Sequence, residues 1–145
     1  MSNILLNMGN PIVLGRQALP ELSEEAVIEA VRSACLELGN GGAVQPLQGV
    51  APLPEGGDVI LSQAVLPGAG VYAVKVSPYL PRSEGAGVVT AWTMLVSLET
   101  GDPVLAVDSK ELTAQRTAAT SALAVDLLAG PDAGTLAVME RVQGR

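Results

Sequence analysis

Histidine and phenylalanine are absent from this chain, which holds one cysteine, one tryptophan and two tyrosines. Without histidine there is no Ser-His or Cys-His nucleophile pair, and the commonest general base and metal ligand is missing. A resident metal is therefore not expected. Cys35 has no partner for an internal disulfide; it falls on the apolar face of an expected helix with no base in sight, and reads as a buried structural thiol. With so few aromatics, Val, Leu, Ile and Ala must fill the core, so close packing matters more than any single anchor. Positive charge is also scarce: eight Lys plus Arg against fifteen Asp plus Glu give a formal charge of −7. Such a chain repels phosphate backbones and anionic lipid surfaces, so neither nucleic acid nor membrane is an expected partner. No apolar run reaches the roughly 18 residues of a membrane span. The N-terminus MSNILLNMGNPIVLG lacks the basic leader and cleavage site of a signal peptide, and a cytoplasmic location is expected.

What is present is an ordered globular composition, 48% apolar and 16% charged over 145 residues. That length suits one domain, residues 1–145, and one core. Two apolar bursts, Ile4 to Leu6 and Ile12 to Leu14, open the chain; the second reads as a strand. Ser23 followed by Glu24 and Glu25 is a helix N-cap with acids at the positive end of the dipole. Val27, Ile28, Val31, Ala34, Cys35 and Leu38 then form one apolar stripe, and Gly39-Asn40-Gly41-Gly42 ends the helix. Ala43 to Pro54 is extended and interrupted by Pro46, Pro52 and Pro54, as an edge strand allows.

Val59 to Leu66 and Val71 to Ser77, with turns around them, read as antiparallel neighbours. Pro78 to Gly87 is a polar loop leading into a strand over Val88 to Leu98. Glu99-Thr100-Gly101-Asp102 turns the chain into Pro103 to Val107. Asp108 or Ser109 caps a second helix, with Glu111 in capping-box register after Asp108, and Gly130-Pro131 stops it near Ala129. Thr135 to Met139 is a last strand candidate. Two isolated cations stand out: Lys75, mid-strand on the face opposite Val74 and Val76, and Arg116 on the alanine-rich helix. Each has an ordinary reading, solvation for the lysine and pairing with Asp108 or Glu111 for the arginine. Each also has a functional one, a desolvated amine and a bidentate carboxylate clamp.

The motifs VKVS at Val74 to Ser77, AVQP at Ala43 to Pro46 and LETGDPVLAVDSKELTAQRTAATSALA at Leu98 to Ala124 resemble the ornithine cyclodeaminase and mu-crystallin family. That resemblance implies a substrate-binding and dimerising domain, followed in the family by a dinucleotide-binding one. It implies that Lys75 meets the substrate carboxylate and imine region and that Arg116 grips the carboxylate. The family's further arginine appears here as Gln48, and its Met-Pro pair as Ser62-Gln63. Where the family continues into a GxGxxQ loop, this chain reads Val138 to Arg145 without those glycines, so no dinucleotide cofactor is expected.

The expected fold is α+β: a mixed or mostly antiparallel sheet with two main helices, about 23–38 and 109–129, on one face, dimerising through the sheet. The expected function is a cofactor-independent, non-redox cyclisation, elimination or isomerisation of a small carboxylated metabolite, a lyase or cyclase activity. Lys75 and Glu84 are the catalytic candidates, and Arg116, Gln48, Ser62 and Trp92 the substrate contacts. Trp92, Tyr72 and Tyr79 equally suit core or dimer filling, and Glu84 a solvated loop. The alternatives are a ligand-binding or regulatory module, with a full-length paralogue as possible partner, and one half of an NAD(P)-dependent cyclodeaminase or dehydrogenase.

Overall fold

A computed structural model describes residues 11–18, 21–130 and 132–139; the Ile4 to Leu6 burst lies outside them. Helix α1 spans Glu24–Gly39, and it starts as its cap predicts: the Ser23 Oγ accepts from the Ala26 N–H at 3.2 Å. It ends where the Asn40 N–H reaches the Leu36 carbonyl and Gly41 takes a φ of 74°, a conformation that costs a glycine nothing. The strands are β1 (Ile12–Leu14), β2 (Gly49–Pro52), β3 (Asp58–Leu66), β4 (Val71–Leu80), β5 (Val88–Val89), β6 (Trp92–Ser97) and β7 (Pro103–Asp108). Helix α2 covers Lys110–Leu128.

All seven strands form one mixed sheet in the order β1-β7-β6-β4-β3-β2, with β5 paired to the end of β4. Only β1 and β7 run parallel; the remaining pairs are antiparallel. The register aligns Ser62 of β3 with Lys75 of β4, Lys75 with Thr93 of β6, Thr93 with Val107 of β7, and Val107 with Leu14 of β1. These residues share one face, because directly opposite residues point the same way. Helix α2 lies over that face. Its N-cap residue Ser109 is 2% exposed, its hydroxyl sits 2.7 Å from the Thr93 hydroxyl, and Val107 beneath is buried. Helix α1 packs on α2 through buried Val27, and Arg32 reaches Asp126 at 3.1 Å. Ala91, Ala119 and Leu123 complete the buried apolar set among the described residues.

Several local expectations need correction. The strand over Val88 to Leu98 is broken at Thr90 and Ala91, so it forms β5 and β6 separately. The loop from Pro78 begins later, because Pro78 to Leu80 extend β4 to pair with β3 and β5. Thr135 to Met139 forms no strand; within the described residues it has no neighbouring strand to supply hydrogen bonds. Ser109 does not cap α2 with its side chain, since its hydroxyl is taken by Thr93; the Asp108 Oδ1 accepts from the Lys110 N–H instead. Cys35 is exposed. The apolar stripe of α1 is real but covered only toward its N-terminal half, since Leu36 and Leu38 are also exposed.

Gly57 in the turn before β3 has a φ of 82°, and a Cβ there would lie 2.2 Å from the Tyr79 carbonyl oxygen. Gly85 has a similar φ of 77° but open space around it. Thermal unfolding should therefore show Gly57→Ala losing clearly more stability than Gly85→Ala, for which strain alone costs about 1–3 kcal/mol. Equal losses would mean that the steric contact with β4 does not matter.

Candidate substrate site

The cross-strand row has a polar extension. Gln48, immediately before β2, donates from Nε2 to the Ser62 Oγ at 3.0 Å, so Gln48, Ser62, Lys75 and Thr93 stand side by side across four strands' width. Arg116, two turns into α2, comes down from above. An open cleft of about 280 Å³ lies between, lined by these residues and by Gln45, Ser109 and Thr113. Among the described residues, no aspartate or glutamate lines it.

Lys75 is half-buried. Burial lowers the pKa of its ammonium from the ordinary 10.5, and the positive charge of Arg116 lowers it further. Desolvation disfavours the charged amine, and a like charge nearby adds to the cost. None of the ion pairs among the described residues involves Lys75 or Arg116; the three pairs are Arg16–Asp108, Arg32–Glu29 and Arg32–Asp126. The pairing of Arg116 with Asp108 considered from sequence is not formed, because Asp108 already holds Arg16 at 3.2 Å. Two cations thus converge on one cleft without a counter-charge among the described residues; Arg116 is exposed, so the cost falls on the half-buried Lys75.

Of the residues singled out from sequence, Lys75, Arg116, Gln48 and Ser62 meet here. Trp92 does not: it pairs with Val76 and Asp108 on the opposite sheet face and is 44% exposed. Glu84 lies in the exposed loop between β4 and β5 and does not line the cleft. Thr93 and Ser109 were missed, since a strand threonine and a helix-cap serine carry no site signal until register and cap geometry place them together.

Residues 18–141 match the model of the ornithine cyclodeaminase/mu-crystallin family. The chain belongs to that family. It is 45% identical over 129 residues to the NAD(P)H-dependent anabolic L-arginine dehydrogenase DauB of Pseudomonas aeruginosa, covering 88% of this chain and 41% of that protein. Among solved structures it is similar to the Thermococcus litoralis Δ1-pyrroline-2-carboxylate reductase, seen with NADH and L-proline, at a TM-score of 0.75 and 31% identity. That match covers 83% of this chain and 39% of the other. An archaeal alanine dehydrogenase dimer with bound NAD matches at a TM-score of 0.74 and 26% identity, over 84% and 38% of the two chains. The chain therefore spans about two fifths of the length of the relatives it matches.

These relatives overturn the expectation of a cofactor-independent, non-redox lyase or cyclase. They are an NAD(P)H-dependent dehydrogenase, a reductase seen with NADH and a dehydrogenase seen with NAD. The N-terminus of α2 does not fit a dinucleotide. The β7–α2 junction, Val107-Asp108-Ser109-Lys110, has no glycine to admit a pyrophosphate, and the Asp108 carboxylate already occupies the Lys110 N–H. Residues 140–145, where the glycine loop was sought, lie outside the described residues.

The lowered Lys75 pKa has a signed consequence. Between that value and 10.5, the unfolded chain binds more protons than the folded one, so stability rises with pH across this window. Below it, the full penalty of the buried charge is present. Lys75→Met should flatten that part of the stability–pH curve, and Arg116→Ala should move the Lys75 titration, followed by NMR, back toward 10.5. A Lys75 titration indifferent to Arg116 would show that the two cations do not share the cleft.

Proposed function

We propose that this chain provides the substrate-carboxylate site of an NAD(P)H-dependent amino-acid dehydrogenase or imino-acid reductase. The observation that carries this reading is the convergence on one cleft of Lys75 and Arg116, which among the described residues have neither an ion-pair partner nor an acid lining the cleft beside them. The Arg116 guanidinium presents a planar fork suited to two parallel hydrogen bonds with a carboxylate. Lys75, across the cleft, reaches the adjoining carbon that bears the nitrogen or oxygen. Its amine, partly desolvated, holds or gives up a proton at that heteroatom more readily than a solvated lysine would. The Thr93–Ser109 hydroxyl pair fixes α2 against β6 and so sets the height of Arg116 above Lys75. The N-terminus of α2 offers no dinucleotide cradle, and the part of these residues in the reaction is to bind, orient and exchange a proton with the carboxylated substrate.

The opposite sheet face supports assembly with a second copy. Leu61, Val76 and Trp92 form one row across β3, β4 and β6, and they are 36%, 39% and 44% exposed. Met94 in the next row is 39% exposed. A contiguous apolar face of this kind marks an interaction surface, and the alanine dehydrogenase relative is a dimer. We place the two-fold partner on this face.

Calorimetric titration with pentanoate, a plain monocarboxylate, tests the site. Binding should weaken at least tenfold in Arg116→Ala, the loss of a charge-assisted pair being roughly 1.5–3 kcal/mol, and less in Arg116→Lys. Absence of any Arg116-dependent carboxylate binding would overturn the assignment. For the second copy, light scattering should give a dimer mass that Trp92→Glu converts to monomer without loss of helix content; a monomeric parent protein would remove the interface.

A further inference from the structure

Glu37, in the last turn of α1, accepts hydrogen bonds from two places that are distant in the chain. Its backbone carbonyl accepts from the Gly42 N–H at 2.8 Å and the Ala43 N–H at 3.3 Å. Its side-chain Oε1 accepts from the Gly68 N–H at 2.9 Å, in the short helical turn Pro67–Ala69 that joins β3 to β4. The fit is close on both sides. A Cβ added to Gly68 would lie 3.0 Å from that oxygen, and one added to Gly42 would lie 3.1 Å from the Glu37 Cγ. Glycine at both positions lets two stretches of backbone approach one side chain.

What these bonds hold leads to the cleft. From Ala43 the chain passes to Val44, whose N–H and carbonyl pair with Val65 at 3.0 and 2.8 Å. It then runs from Gln45 to Gln48, both of which line the cleft, and is caught again where the Gln48 Nε2 meets the Ser62 Oγ at 3.0 Å. Between those anchors, among the described residues, no loop hydrogen bond of the main chain holds Gln45, Pro46 or Leu47, and Leu47 is 94% exposed. Such a wall keeps its place only if both of its ends do. Glu37 ties the entry end to the same turn from which β4 sets out toward Lys75, yet it does not itself line the cleft.

We infer that Glu37 is a positioning residue for the cleft: through Gly68 and Gly42 it holds the Gln45–Gln48 wall beside Lys75. This rests on the carboxylate site proposed above and adds what keeps that site closed. Reach matters here more than charge, because the Gly68 N–H needs an acceptor at the full length of a glutamate side chain. A wall that swings away admits water, which screens Arg116 from a bound carboxylate and resolvates the Lys75 amine.

Two variants separate reach from charge. Glu37→Asp keeps the charge and is one carbon too short for Gly68, whereas Glu37→Gln loses the charge and keeps an acceptor oxygen at the same distance. Pentanoate titration and NMR of Lys75 read the result. Glu37→Asp should weaken pentanoate binding at least fivefold and move the Lys75 pKa up toward 10.5. Glu37→Gln should keep the affinity within twofold and leave the Lys75 titration unchanged or slightly lower. Losing a carboxylate charge can only lower a lysine pKa, and the aspartate leaves the charge count as it was, so an upward shift reports the wall. A general loss of stability would leave the titration of Lys75 in the folded protein where it is. If pentanoate binds through Arg116 but the Lys75 titration stays at its parent value in Glu37→Asp, or moves as far in Glu37→Gln, the positioning role is overturned and the carboxylate site stands. If pentanoate binds to no form yet Lys75 moves in Glu37→Asp alone, the carboxylate site falls and the positioning role stands. With neither binding nor movement, both fall.

Discussion

The register of β4 between β3 and β6 is the constraint on which the rest of the structure depends. Side chains alternate faces along a strand, so a slip of one residue would carry Lys75 to the far side of the sheet and bring Val74 or Val76 into the cleft. The register is held on both sides: nine paired positions tie β3 to β4 and six tie β4 to β6. The tight turn at Gly57, whose backbone passes against Tyr79, fixes where β3 begins. Everything polar in the site follows from that alignment. Ser62 and Thr93 flank Lys75 because they are its cross-strand partners, and Gln48 reaches Ser62 because β2 continues the same ladder.

Helix α2 answers to the same alignment. Thr93 projects on the Lys75 face and takes the hydroxyl of Ser109, which is why that serine leaves its usual capping role. With its first residue pinned, the helix carries Arg116 over the sheet two turns later, and the two cations meet. Their mutual repulsion and the partial burial of Lys75 are unfavourable in the empty cleft. Perturbed ionisable groups outside salt bridges cluster at functional sites, and that cost supports the carboxylate site proposed above. The opposite face has a different character, with a row of Leu61, Val76 and Trp92 left open.

Much of this was legible beforehand. Strand and helix identities followed from turn glycines, the Ser23 cap and apolar periodicity, and the family motifs singled out Lys75, Arg116, Gln48 and Ser62. Other readings failed for physical reasons that lie outside local sequence. Cys35 belongs to a true apolar stripe, yet burial depends on whether α2 extends far enough to cover it. Trp92 and Glu84 lie near site residues along the chain but not in space: Trp92 sits on the opposite face by the parity of β6, and Glu84 in a loop that does not return to the cleft. The break at Thr90 and Ala91 was invisible because both halves of that run have strand-like composition. The reading of a cofactor-free enzyme drew on missing glycines, and the arginine dehydrogenase, pyrroline-carboxylate reductase and alanine dehydrogenase relatives, which are NAD(P)H-dependent or seen with NADH or NAD, correct it.

The sequence by itself determined the ancestry, the order and type of the main elements, and which two cations were worth following. Those features are local, written in caps, turns and the spacing of apolar residues. Only the tertiary structure decided that the cations share one cleft, that Gln48 and Ser62 stand beside Lys75, and that Trp92 belongs to the other face. Each of those depends on pairing between residues distant in the chain, and pairing is set by register and helix placement, which no local pattern encodes.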